Sequence, residues 1–134
     1  FSIKVEFLER DDFKAAVMSR QYDLLYVGHN LGYNLDTYSY WHSTQANPRG
    51  QNFSNYKSFQ VDTLIEEIRS TFDLDKQNEL LNKLAEKMKD DVPAVFLFRP
   101  IYYYATDGKI SGIVMDNVSF PSDRFSLVSN WLFN

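Results

Sequence analysis

Two strand-like stretches bracket a helical pattern in the first 27 residues, and that order constrains the fold more than any other feature of the chain. Ile3, Val5 and Phe7 alternate with Lys4 and Glu6, the period-two pattern of a strand with one face in a core. From Asp11 or Asp12, either of which can cap it, a helix is predicted through Arg20, with Phe13, Ala16 and Val17 on one face. Tyr22-Asp23-Leu24-Leu25-Tyr26-Val27 then reads as the next strand. A β-α-β unit of this kind implies a parallel pair with a right-handed crossover.

The second strand runs through Gly28 into a polar, aromatic loop, Asn30-Leu31-Gly32-Tyr33-Asn34-Leu35-Asp36, which opens a short segment ending at Tyr40-Trp41-His42-Ser43. In open α/β sheets, ligands bind where strands hand over to loops, between aromatic walls and a few placed polar groups. A binding crevice is therefore predicted here. Residues 44–55 read as a surface loop turning at Pro48-Arg49-Gly50. Two amphipathic helices are predicted next. One spans 60–70 with Val61, Leu64, Ile65 and Ile68 inward; the other spans 76–90, capped by Asp75, with Leu80, Leu81, Leu84, Ala85 and Met88 inward. Pro93 follows the second helix, and strands are predicted at 94–98 and 101–106 before an Asp107-Gly108 turn. In Tyr102-Tyr103-Tyr104, alternation along a strand buries either Tyr103 or the other two.

With 134 residues the chain is long enough for one domain, or for one lobe of something larger, and it is read as a single α/β lobe over 1–134. A net charge of −4 with no basic stripe argues against nucleic acid as a partner. The absence of cysteine removes thiolate chemistry, zinc-thiolate sites and disulfides. The longest apolar runs fall far short of a membrane span. Because residue 1 sits inside a strand-like pattern, the chain is expected to be a piece of a longer protein. His29 and His42 lack the spaced partners of a metal site, so no metal and no cofactor is predicted.

The order of motifs resembles one family. Tyr22-Asp23, Gly28-His29, Asn34-Leu35-Asp36, Tyr38-Ser39-Tyr40-Trp41-His42-Ser43, Asn52-Phe53-Ser54-Asn55-Tyr56 and Val61-Asp62-Thr63-Leu64 follow one another as corresponding motifs do in extracellular solute-binding proteins of ABC importers. The likeness is to the C-terminal part of the oligopeptide- and dipeptide-binding members, and it continues through the helix at Asp75-Lys76-Gln77-Asn78-Glu79-Leu80 and through Asp90-Asp91-Val92-Pro93. His29 stands where such proteins usually carry Trp, and Asn34-Leu35 where they usually carry Asp-Pro.

The resemblance implies the C-terminal lobe of a two-lobed clamshell, a mixed sheet flanked by helices. It implies a non-enzymatic receptor that captures oligopeptides or dipeptides outside the membrane and delivers them to permease subunits, with nickel chelates or sugars as other ligand classes. Such receptors sit in the periplasm or on the outer face of the membrane through a lipid anchor. The ligand-binding residues expected on this basis are His29, Asn30, Tyr33, Asn34, Asp36, Tyr38 and Trp41, with Asp36 the acid available to a peptide's ammonium. Each has a second reading: Asp36 can cap the segment from Thr37, and Trp41 can belong to the core. Two alternatives of other classes are a small-molecule hydrolase using Asp36 and His42, and an interaction domain without a small ligand. The acidic and basic residues of the two long helices read as solvated faces, or as a surface that docks a transporter.

Overall fold

The structure is a computed structural model that describes residues 2–115 and 118–133. Its elements in chain order are α1 (Arg10–Ser19), α2 (Tyr38–Trp41), a 3-10 turn at Ser43–Gln45, α3 (Phe59–Ser70), α4 (Leu74–Asp91), β1 (Ile110–Ser111), 3-10 turns at Pro121–Phe125 and Val128–Asn130, and β2 (Leu132–Phe133). The chain divides into two compact units. The first comprises Phe1–Gly28 with Asp36–Val95, and the second His29–Leu35 with Phe96–Asn134.

The core of the first unit is helical. α3 begins where Ser58, in extended conformation, turns its side chain back to accept from the Val61 N–H, satisfying one of the first-turn donors. α4 begins in the same way at Asp73, which accepts from the Lys76 N–H at 2.9 Å. The predicted cap, Asp75, instead lies inside the first turn, where its charge still favours the positive end of the helix. Gln77 reaches back from α4 to donate to the Ile68 and Thr71 carbonyls at 3.2 and 3.4 Å, closing the C-terminal end of α3. Val61 and Ile65 of α3 and Leu80 and Leu84 of α4 are buried, while Leu64, Ile68 and Met88 flank them; Ala85 is exposed, contrary to its predicted inward position. Trp41 from α2 completes this core. α4 ends at Val92, whose positive φ of 47° halts the helix immediately before Pro93.

α1 is held differently. Glu9 stands at its N-cap position without a side-chain cap bond, with Asp11 and Asp12 both in the first turn and neither acting as the cap. None of its residues is fully buried; Ala16 and Val17 are half-covered and Phe13 faces solvent. The attachment is polar. Arg20, at the left-handed C-cap, donates from Nη2 to the Asn47 and Gly50 carbonyls at 2.8 and 3.0 Å, and Tyr22 donates to the Phe53 carbonyl at 2.7 Å.

The predicted strands differ most from the observed structure. Residues 3–8, 22–27, 94–98 and 101–106 form no ladder among the described residues, and Phe7 is 94% exposed. The described sheet is the antiparallel pair β1–β2, with Ile110 opposite Phe133 and Ser111 opposite Leu132. The parallel β-α-β pair is therefore replaced by a helix between unpaired segments. Alternation names the face that a strand can bury, but a ladder also requires a neighbour to satisfy each backbone N–H and C=O.

In the second unit, Gly112 lets the chain pass the end of that pair. Its φ is +75°, and a Cβ there would stand 2.4 Å from the Asn130 carbonyl oxygen. Among the three consecutive tyrosines, Tyr103 is the most exposed, Tyr102 is also exposed and Tyr104 is half-buried.

Candidate functional site

The seven expected ligand-binding residues divide between the two units. Asp36, Tyr38 and Trp41 belong to the first, and His29, Asn30, Tyr33 and Asn34 to the second.

In the first unit, Asp36 serves the local structure. Its Oδ1 accepts from the Tyr38 N–H at 3.0 Å, supplying the helix-start bond that the Thr37 side chain does not make. Its Oδ2 pairs with Arg69 Nε of α3 at 3.4 Å, and the Arg69 guanidinium lies 4.4 Å above the Tyr38 ring. Tyr38 in turn stacks on His42, with ring centroids 4.2 Å apart. Trp41, three residues further along the short helix, is a core residue, and Tyr38 packs against the same cluster.

His42 is buried and fully engaged. The Thr44 N–H donates to Nδ1 at 3.2 Å, which leaves Nε2 as the protonated nitrogen, donating to Glu66 Oε1 at 3.2 Å. Ser43 is bound to Asp62 through both its N–H, at 2.8 Å, and its hydroxyl, at 2.5 Å. A serine hydrolase needs its hydroxyl within reach of the imidazole, and here the hydroxyl is committed to a carboxylate instead. Asp36 is likewise committed to Arg69 and a backbone N–H. No group of three His, Asp or Glu side chains among the described residues has metal-holding geometry. The network is suited to holding a loop rigidly.

Beneath it lies Asn52, completely buried. Its Nδ2 donates to the His42 and Tyr56 carbonyls at 3.2 and 2.8 Å, and its Oδ1 accepts from the Tyr56 N–H at 3.1 Å and the Ser54 hydroxyl at 3.3 Å. One amide thus ties the end of α2 to the turn that leads into α3.

In the second unit, the loop from His29 folds against the turn at Pro121–Phe125. Asn30 donates to the Ser119 carbonyl at 2.9 Å and accepts from the Gly32 N–H at 2.8 Å, where Gly32 takes a φ of +67°. The Tyr33 hydroxyl donates to Asp123 Oδ1, and its ring meets Phe120 edge-on at 5.2 Å. Asp123 also accepts from the Ser119 and Phe120 N–H groups, both at 2.8 Å. These donors, the phenol foremost, hold the Asp123 carboxyl below its ordinary range, and the same bond raises the Tyr33 phenol. Asn34 is exposed. His29 is also solvent-accessible, yet partial desolvation lowers its imidazole below the usual histidine value.

A folded-state carboxyl held low contributes stability that is complete above its unfolded pKa and is lost as pH falls through the folded one. Tyr33→Phe removes the leading donor, so the Asp123 titration should move up toward the ordinary aspartate range and the acid limb of unfolding should begin at higher pH. Carboxyl carbon shifts followed against pH in both proteins check this; identical Asp123 titrations would assign the shift to the backbone donors alone.

Sequence reasoning placed Arg69 on a solvated face and gave no role to Asp123. Their partners Asp36 and Tyr33 are separated from them by 33 and 90 positions, with no local pattern to join them. No protein-family profile matches the chain. The chain is similar to the oligopeptide-binding protein AppA of Bacillus subtilis (strain 168), with 26% identity over 91 residues. That alignment covers 68% of this chain and 17% of the AppA chain. No solved structure matches. The similarity is thus a distant one, to a binding protein rather than an enzyme.

Proposed function

We propose that this chain is part of the substrate-binding component of an ABC importer, contributing the C-terminal lobe of a clamshell that captures oligopeptides or dipeptides outside the membrane and passes them to permease subunits. The alignment with an oligopeptide-binding protein over 91 residues carries this reading. The chain's own features support it. Tyr33 presents a ring that is 71% exposed, yet its hydroxyl is fixed by Asp123. Such a ring offers apolar area to varied side chains at little further cost in conformational entropy. Asp36 is the acid nearest in sequence to that loop, and a peptide ammonium would reach it only in competition with Arg69. No bond is made or broken in this reading; capture rests on preferential binding to the closed arrangement of lobes.

The test is thermal unfolding of the whole receptor that carries this chain in the presence of short peptides, nickel chelates and oligosaccharides. Peptides should raise the midpoint as occupancy rises, and Tyr33→Ala should weaken that rise without altering the midpoint trend with the other classes. A shift with chelates or sugars alone would reassign the ligand class, and no shift with any class would remove the receptor reading.

A further inference from the structure

In the second unit, Arg124 projects from the turn at Pro121–Phe125 into a group of aromatic rings. Its guanidinium lies 4.4 Å from the Phe125 ring centroid and 5.7 Å from that of Tyr104. Trp131 packs against the same two rings, at 5.7 and 6.2 Å. Nη1 of Arg124 is occupied, donating to the Pro121 carbonyl at 2.7 Å and to the Tyr102 hydroxyl at 3.2 Å. The other side of the fork is not. Nε of Arg124 is buried with no acceptor, and so is Nε1 of Trp131.

Three observations converge on one ligand chemistry. Both orphan groups are donors, and the environment supplies neither with an acceptor, a state that costs free energy unless something fills it. The edge left open on Arg124, Nε with Nη2, is the edge along which a guanidinium makes two parallel hydrogen bonds to a carboxylate. Arg124 also lacks an acidic neighbour among the described residues: the adjacent Asp123 is turned to Tyr33 and to the Ser119 and Phe120 N–H groups. A water molecule could satisfy a donor but would leave this half-buried cation uncompensated.

We propose that the cage of Tyr104, Phe125 and Trp131 binds one carboxylate, held side-on by Arg124 with the Trp131 indole N–H as a further donor. Phe125, itself 42% exposed, is the ring through which such a group would enter. The carboxylate can belong to a small free acid or to the C-terminus of a peptide. The proposal stands independently of the receptor reading, because it rests on Arg124 and Trp131 rather than on the loop from His29.

Both orphan donors give their own nitrogen–proton resonances, so the site reports on itself. The chain is titrated with sodium acetate, with N-acetyl-glycyl-glycine and with the C-terminal amide of that peptide, with sodium chloride as the ionic-strength control. Resonances of Trp131 Nε1–H and Arg124 Nε–H should move together and saturate with acetate or the free-acid peptide but not with the amide. A response to acetate alone identifies a small-acid site, and a stronger response to the peptide identifies a C-terminal one. Arg124→Lys keeps the charge without the fork, and should weaken binding about tenfold or more while the Trp131 resonance remains dispersed as in the folded protein. Equal shifts with chloride, unchanged affinity in Arg124→Lys, or exchange of the indole proton with a bound water without any carboxylate response would each overturn the proposal.

Discussion

Asn52→Leu should lower folding stability by about 3–4 kcal/mol, although leucine shares the branching of asparagine at Cγ and the site is wholly inside. Leucine would fill the space and even gain in transfer free energy. It cannot replace two donors and an acceptor that meet the His42 carbonyl, the Tyr56 carbonyl and the Tyr56 N–H. Those backbone groups would then stay buried without partners, each costing about 1–3 kcal/mol. Asn52→Asp should be at least as damaging, because it removes the donating amide and introduces a charge with no cation among its hydrogen-bond partners. Urea unfolding followed by far-ultraviolet circular dichroism measures both. A loss below about 1 kcal/mol for the leucine variant would mean that the loop opens to water and the amide is not the tie that its geometry indicates.

What the sequence could reveal of this arrangement follows from the range of the interactions involved. Helices α3 and α4 were legible because their apolar positions recur on one face and their caps lie within three residues of the donors they satisfy. The shift of the α4 cap from Asp75 to Asp73 is of the same local kind: two acids stand two residues apart, and only backbone torsions decide which is extended. The role of Asp36 at the start of α2 was legible too, since the N–H that donates to it is two residues away. Ladder partners are not local. Ile3, Val5 and Phe7 alternate as a strand should, yet nothing in that alternation says what would pair with their backbone. The same limit hides the site's long-range ties, Arg69 to Asp36 and Tyr33 to Asp123, whose residue types are ordinary for a helix face and a loop.

Gly50→Ala should cost about 3 kcal/mol or more, through a mechanism distinct from the usual glycine argument. Gly50 does not need a left-handed torsion; the positive-φ glycines are Gly32, Gly108 and Gly112. It needs room. A Cβ at Gly50 would stand 2.0 Å from the Gln45 carbonyl oxygen and 2.6 Å from its carbon, both backbone atoms that no rotamer change can move. Neither side of the contact can retreat freely. Gln45 accepts from the Asn52 N–H at 3.3 Å and donates to the His42 carbonyl at 3.0 Å, while the Gly50 carbonyl accepts from Arg20 at 3.0 Å. Relief of the clash must therefore loosen either the Asn52 tie or the Arg20 clamp that holds α1. If it loosens the Asn52 tie, Gly50→Ala combined with Asn52→Leu should destabilise by clearly less than the sum of the two, since each variant disrupts part of what the other has already lost. If the Arg20 clamp yields instead, the pair should be additive, and amide exchange in Gly50→Ala should quicken in α1 while α3 and α4 remain protected.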